Sequence, residues 1–322
     1  MAQFTIYRST DASAPVLTGE VGSLVALLTA CLVNGYGAKA TAGWTLSYTG
    51  TNKAVYRPGA GSQHYLHVAD AGGGTGGAKE AQIRGYEAMS AIDTGTGPFP
   101  SDAQCVLYLN HLVCRKSATA SNVARPWLII ADSRTCYILI QTGDTASTYY
   151  GAAFGDIYSY AGADAYQTCI IGRYAENVTG YNVCEAFGGL STVLGTAFPG
   201  HFLARGYTQS GGSLAVGKHG DGIKQASAVG FSGSVPFTNG PDGGIYLAPV
   251  IIHETSGNIR GQMRGLYVWL HTVAGIADAD TFSGSGDYAT KTFLAVNQIA
   301  GNAVTTSLGV LIVETSDTLL TN

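Results

Sequence analysis

The sequence predicts an α+β fold, predominantly β, with many short antiparallel strands, one clear N-terminal helix and long Gly-rich loops. Three observations carry that expectation. Glycine supplies 45 of the 322 residues, roughly twice its usual ~7% share, and cuts the chain into short segments. Those segments are rich in β-branched and aromatic residues, which suit a pleated surface. One stretch, "GSLVALLTACLVNGYG", spaces its apolar residues as a helix does.

Taken in order, "FTIYRSTD" opens as a strand. In the helix, Ser23 is the expected N-cap. Leu24, Leu27, Leu28, Cys31 and Leu32 form one apolar face, and Asn34-Gly35 stops it. "GWTLSYTG", "AVYRPG", "HYLHVAD" and "AQIRGYEAM" follow as strands between Gly, Asn and Pro turns. The first hundred or so residues thus read as a small α+β unit. The Gly/Pro-rich "DTGTGPFPSDAQ" (93–104) is the best internal boundary, dividing 1–97 from a β-rich 98–322 unless the two are continuous. Beyond it, "RPWLIIADSRTCYILIQTG" carries two strands around a turn at Asp132–Arg134, and "FGDIYSY" and "YQTCIIGRY" flank "AGADA". Residues 185–243 are loop-heavy, and "IYLAPVIIHET", "IRGQMRGLYVWLH", "KTFLAVNQIA" and "SLGVLIVETSD" return to strands.

"DAGGGTGGAKE" (70–80) imitates a phosphate-binding loop and fails on spacing. Gly72 and Gly77 are correctly separated, but Ala78 follows, Lys79 comes one place late and Glu80 stands where a hydroxyl should bind Mg²⁺. The stretch reads as a flexible connection between two strands.

Charged residues make up 12% of the chain and the net charge is −4. With no basic run, nothing electrostatic favours nucleic-acid binding. No segment reaches the ~20 apolar residues of a membrane span. The start, "MAQFTIYRSTDASAP", lacks the pattern of an export signal, so synthesis in a cytoplasm is expected. A weakly charged surface is a solubility risk for a free monomer and less so for a chain held in an assembly. The six cysteines form no C-x-x-C pair and mostly sit in apolar segments, so reduced, buried thiols are expected.

No catalytic signature is present: no G-x-S-x-G, no H-E-x-x-H and no strand–helix G-x-G-x-x-G. His64 and His67 are three apart on a strand and point to opposite faces. "GKHGDG" places Lys218, His219 and Asp221 on an expected glycine turn, and His253 and Glu254 are strand neighbours facing opposite sides. No catalytic, cofactor or metal residue is therefore nominated. The distinctive feature is "RGQMRGLYVWLH", in which Arg260 and Arg264 precede Tyr267, Trp269 and His271. On an even strand those three share a face with Gly265 and alternate with Leu266, Val268 and Leu270. Such a strand suits a core or a subunit contact, or, in a sharper reading, a sugar-stacking platform.

The opening "MAQFTIYRSTDASAPVLTGEVGSLVALL", the block "GTNKAVYRPGAGSQHYLHVAD", "FGDIYSY" and the end "IRGQMRGLYVWLH…DTFSGSGDYATKTFLAV" resemble a family of uncharacterised virion structural proteins of tailed bacteriophages. The resemblance is one of overall text and carries over no functional residue. It implies a particle component, made in the bacterial cytoplasm and present in many copies. With no catalytic signature in the residues, no enzymatic activity is expected, and a tail-associated hydrolase is only a third reading. A tail or head–tail position is preferred, with capsid decoration next and a host-glycan-binding tail module as an alternative. Its partners would be copies of itself and other virion proteins, without cofactor, nucleic acid or membrane.

Overall fold

The computed structural model describes residues 4–104, 110–144, 149–173, 176–177, 199–209, 214–219, 247–254, 258–269, 279–297 and 310–316. Most of the expected loop-heavy region lies outside these residues, as do Asp221 and His271. The fold is β-rich α+β, as the sequence predicts.

The first half holds β1 (Thr5–Arg8), the helix α1 (Ser23–Leu28) with a π-helical continuation over Thr29–Asn34, then β2 (Thr45–Gly50), β3 (Lys53–Arg57), β4 (Tyr65–Ala69), β5 (Glu80–Ala91) and β6 (Thr94–Phe99). Next come β7 (Leu112–Arg115), β8 (Trp127–Ala131), β9 (Thr135–Gln141), β10 (Tyr149–Ser159) and β11 (Thr168–Arg173). The remaining strands are β12 (Pro199–Leu203), β13 (Leu214–His219), β14 (Leu247–Glu254), β15 (Ile259–Trp269), β16 (Thr281–Ser283), β17 (Thr292–Asn297) and β18 (Val310–Glu314).

Among the described residues every strand pairing is antiparallel. Three long strands act as branch points: β5 pairs with β4, β6 and β7. Over its first half β10 pairs with β9, then with β11, and its last three residues pair with β15. In turn β15 pairs with β14 and β18, and β17 joins β18 to β16. Gly155 is the last β10 residue paired with β9, with φ +140° and the carbonyl of Arg134 so close that a Cβ would collide with it. The expected boundary at 97/98 falls inside β6, and one buried cluster draws on residues from both sides of it.

The β8–β9 hairpin separates two cores. Ile129, Ala131, Cys136, Ile138 and Ile140 face the cluster that receives the helix. Leu128, Ile130, Tyr137 and Leu139 face a second cluster with β14, β15, β17 and β18. Burial on both faces is why "WLII" and "YILI" read as unbroken apolar runs. Their turn is made at Asp132, whose carboxylate accepts the backbone N–H groups of Arg134 and Thr135 at 2.8 Å each.

Leu24, Leu27, Leu28, Cys31 and Leu32 are all buried, as the periodicity predicts. Each leucine contributes about 1.5–3 kcal/mol by leaving water. The cap differs from expectation. Gly22, at φ +79°, is the N-cap, and the Ser23 hydroxyl turns back to the carbonyls of Thr18 and Glu20. The Leu24 N–H is instead taken by Asp70, 46 residues away, at 2.8 Å. A remote carboxylate satisfies the helix end better than a neutral hydroxyl, since it also faces the positive end of the helix dipole.

Candidate functional site

The connection of residues 70–79 joins two paired strands, β4 and β5, as expected. It does embrace an anion, but one of the chain's own. The Glu176 carboxylate accepts the Thr75 N–H at 2.5 Å and the Thr75 hydroxyl at 2.9 Å, with Gln82 donating at 3.2 Å. Hydrogen bonds from Thr75, Gln82 and His111 outweigh the effect of burial and hold this carboxyl below its ordinary range. Lys79 reaches Asn177 rather than a phosphate.

The strand β15 was the expected interaction element, and its charges are turned inward. Arg260 grips Asp164 with a two-pronged contact at 2.8 and 2.7 Å and reaches Glu254 at 2.7 Å. Arg264 pairs with Asp132 at 2.7 Å, its guanidinium lying over the rings of Phe4 and Tyr158. Neither arginine is more than 3% exposed. Tyr267 is also buried, edge-on to Phe293 and Tyr288, and its hydroxyl reaches Glu314, which Lys291 neutralises at 2.6 Å. Burial first, and then the Glu314 charge, push this phenol well above its ordinary value. The backbone of Trp269 pairs with Leu247. Arg260, Arg264 and Tyr267 therefore build the interior of the chain.

The expected even alternation along β15 is broken. Gly265 has φ +63°, and the register with β14 shifts between Ile251↔Gln262 and Pro249↔Tyr267. Met263 and Leu266, three apart, consequently enter the same core while Tyr267 enters another. A bulge of this kind re-aims the side chains that follow it. Among the described side chains, the large apolar residues that reach solvent beside β15 are Ile259 and Tyr160, each 59% exposed. They are neighbours, because the Tyr160 N–H donates to the Arg260 carbonyl at 2.8 Å. No sequence pattern singles out this pair, since it forms only when β10 docks on β15.

The other polar positions resolve as structure. His64 lies beside Thr168 at 2.9 Å, and Thr168 in turn donates to Asp156 at 2.9 Å. His67 pairs instead with Asp93 at 3.2 Å, so the two histidines are separate. Lys218 and His219 lie on β13, paired with Ile252 and Ile251, not on the expected glycine turn. The ladder to β14 extends the strand through Gly217, and a backbone pairing outweighs glycine's preference for turns. Glu254 is buried against Arg260 whereas His253 is half-buried, consistent with opposite faces. Among the described residues, no three His, Cys, Asp or Glu side chains converge as a metal site would require. No helix among them is long and apolar enough to cross a membrane.

No family model and no curated protein matches the chain.

Proposed function

We propose that this chain is a structural component of a tailed-phage virion, in the tail or the head–tail region at the neck or baseplate. It assembles with copies of itself and with other virion proteins through apolar and aromatic surface, without catalysis or cofactor. The observation that carries this reading is the distribution of charge. Charged residues are only 12% of the sequence. Five Lys/Arg and seven Asp/Glu are then withdrawn into ion pairs whose side chains are no more than 7% exposed: Arg115, Lys116, Arg260, Arg264 and Lys291 with their carboxylates. These pairs take part of an already small set of charges away from solvent, and surface with few charges loses little solvation when neighbours cover it. Capsid decoration works by the same physics at a different place on the particle. The exposed rings of Tyr160 and Tyr207 favour the second reading, a tail module stacking on host glycans.

The test is electron microscopy of the particles of the encoding phage with a gold-labelled antibody that binds the native chain. Label at the tail, neck or baseplate supports the proposal. Label over the head moves the chain to the capsid. Unlabelled particles, with the chain also absent from their protein digest, reject a virion role.

A further inference from the structure

We infer that the cleft where β1, β9 and β17 meet is a binding site for a carboxylate carried on a short apolar body. The cleft encloses about 280 Å³, the size of one amino-acid residue or a small organic acid, and opens to solvent. Its construction follows from the register. Tyr7 enters the helix-bearing core, so Arg8 projects from the opposite face of the sheet. Arg8 pairs with Leu128, and Leu128 with Leu139, which places Gln141 two residues further along on that same face. Leu128 and Leu294 form an apolar floor, and Ser9 and Thr10 complete the rim with hydroxyls.

The rim is rich in donors that the protein itself does not use. Among the described residues, the Arg8 guanidinium makes no ion pair or hydrogen bond, and neither do the side chains of Ser9, Thr10 and Gln141. The adjacent Asp11 is already taken by Lys39 at 3.5 Å, the Tyr36 hydroxyl at 2.9 Å and the Arg8 backbone N–H at 2.7 Å. This contrasts with Arg115, Arg260 and Arg264, each of which is neutralised within the chain. Arg8 is a half-buried residue lining a cleft with an apolar floor, and beside such a floor a charge-assisted contact to an anion is stronger than in bulk water. The guanidinium fork fits a carboxylate, the Gln141 amide and the two hydroxyls add neutral hydrogen bonds, and the floor takes an aliphatic group. Two sources supply this chemistry: the C-terminus of a polypeptide ending in an aliphatic residue, or a free small acid.

The experiment is calorimetric titration of the full chain with N-acetyl-leucine, N-acetyl-leucinamide and the peptide Gly-Gly-Ala-Leu. The acid is expected to bind and the amide to bind at least about tenfold more weakly, the loss of a charge-assisted contact. Arg8→Gln should weaken the acid by a similar factor while leaving the circular dichroism spectrum unchanged, and Gln141→Leu should weaken it less. A peptide that binds more tightly than N-acetyl-leucine assigns the site to a polypeptide terminus, and equal affinity assigns it to a small acid. Equal binding of acid and amide, no binding of the acid at millimolar concentration, or binding indifferent to Arg8→Gln would overturn the inference.

Discussion

The Asp70 carboxylate joins the helix N-terminus to a buried lysine. One oxygen accepts the Leu24 N–H at 2.8 Å and the other meets the Lys116 ammonium at 2.5 Å, with neither side chain exposed. Lys116 also donates to the Glu20 carbonyl and the Ser23 hydroxyl, so its positive charge is surrounded by oxygen. Removing one partner strands the other charge in the interior. Asp70→Asn keeps a capping oxygen but leaves Lys116 uncompensated, and is expected to cost about 3–5 kcal/mol in urea unfolding. Lys116→Met should cost a similar amount. The double variant should recover most of the loss, because a neutral pair carries no desolvation penalty. Additive losses in the double variant would show that the two side chains do not act as a pair.

The chain of His64, Thr168 and Asp156 links two titrating groups of opposite sign. Burial is the main cause of both shifts: it lowers His64 to about 4 and raises Asp156 above its ordinary value. Between pH ~6.5 and 4 the unfolded chain binds a proton at His64 that the folded chain refuses. The His64 contribution is therefore complete above ~6.5 and falls by about 3 kcal/mol as the pH drops to 4. Asp156 acts the other way, its contribution being present below ~3.9 and lost as pH rises through its raised folded value. His64→Gln should thus make the chain relatively more resistant to acid, and Asp156→Asn should steepen its acid loss. Thermal midpoints measured from pH 7 to 4 check both signs. Identical slopes in wild type and His64→Gln would show that His64 titrates normally in the folded chain.

Most strands and the helix were legible in the sequence because each is specified locally, by a turn at both ends and an apolar pattern between. The Asp132–Arg134 turn and the Leu24–Leu32 face are of this kind. What sequence could not supply was the partner of each charge. Arg260 and Arg264 stand out in "RGQMRG", but their carboxylates come from Asp164, 96 residues away, and Asp132, 132 residues away. A charge beside an apolar strand reads as surface until its partner is placed. The remote cap at Asp70 is hidden for the same reason. The bulge at Gly265 is hidden because a glycine among alternating residues is compatible with an even strand.

Gly265 tests that bulge. At φ +63° a side chain is strained, and a Cβ would stand 2.9 Å from the Phe4 ring and 3.1 Å from the Glu314 carbonyl. Gly265→Ala is expected to cost about 1–2 kcal/mol from backbone strain alone, plus whatever the Phe4 ring loses in yielding. Gly286 is a matched control, since it also has positive φ, +57°, but nothing within 4 Å of an added Cβ. Denaturation of the two alanine variants should place Gly265→Ala below Gly286→Ala. Equal losses would reduce the effect to φ alone and remove the steric part of the argument.

The buried thiols give the last prediction. Cys31, Cys114, Cys136 and Cys169 are free and buried. Burial is the main cause that raises the first three, pushing Cys114 up to about 12 and Cys31 and Cys136 well above an ordinary thiol. Alkylation requires the thiolate and access to it. Cys31, Cys114 and Cys136 offer neither, and buried Cys169 offers no access. Brief treatment of the native chain with iodoacetamide at pH 8, followed by peptide mapping, should leave these four cysteines unmodified. Repeating the treatment in guanidinium chloride should modify all four. Protection is set by packing, so Cys114 should become reactive together with the loss of tertiary structure across the denaturation curve. Rapid modification of Cys114 in the native chain would mean that β7 opens locally, well below the energy of global unfolding.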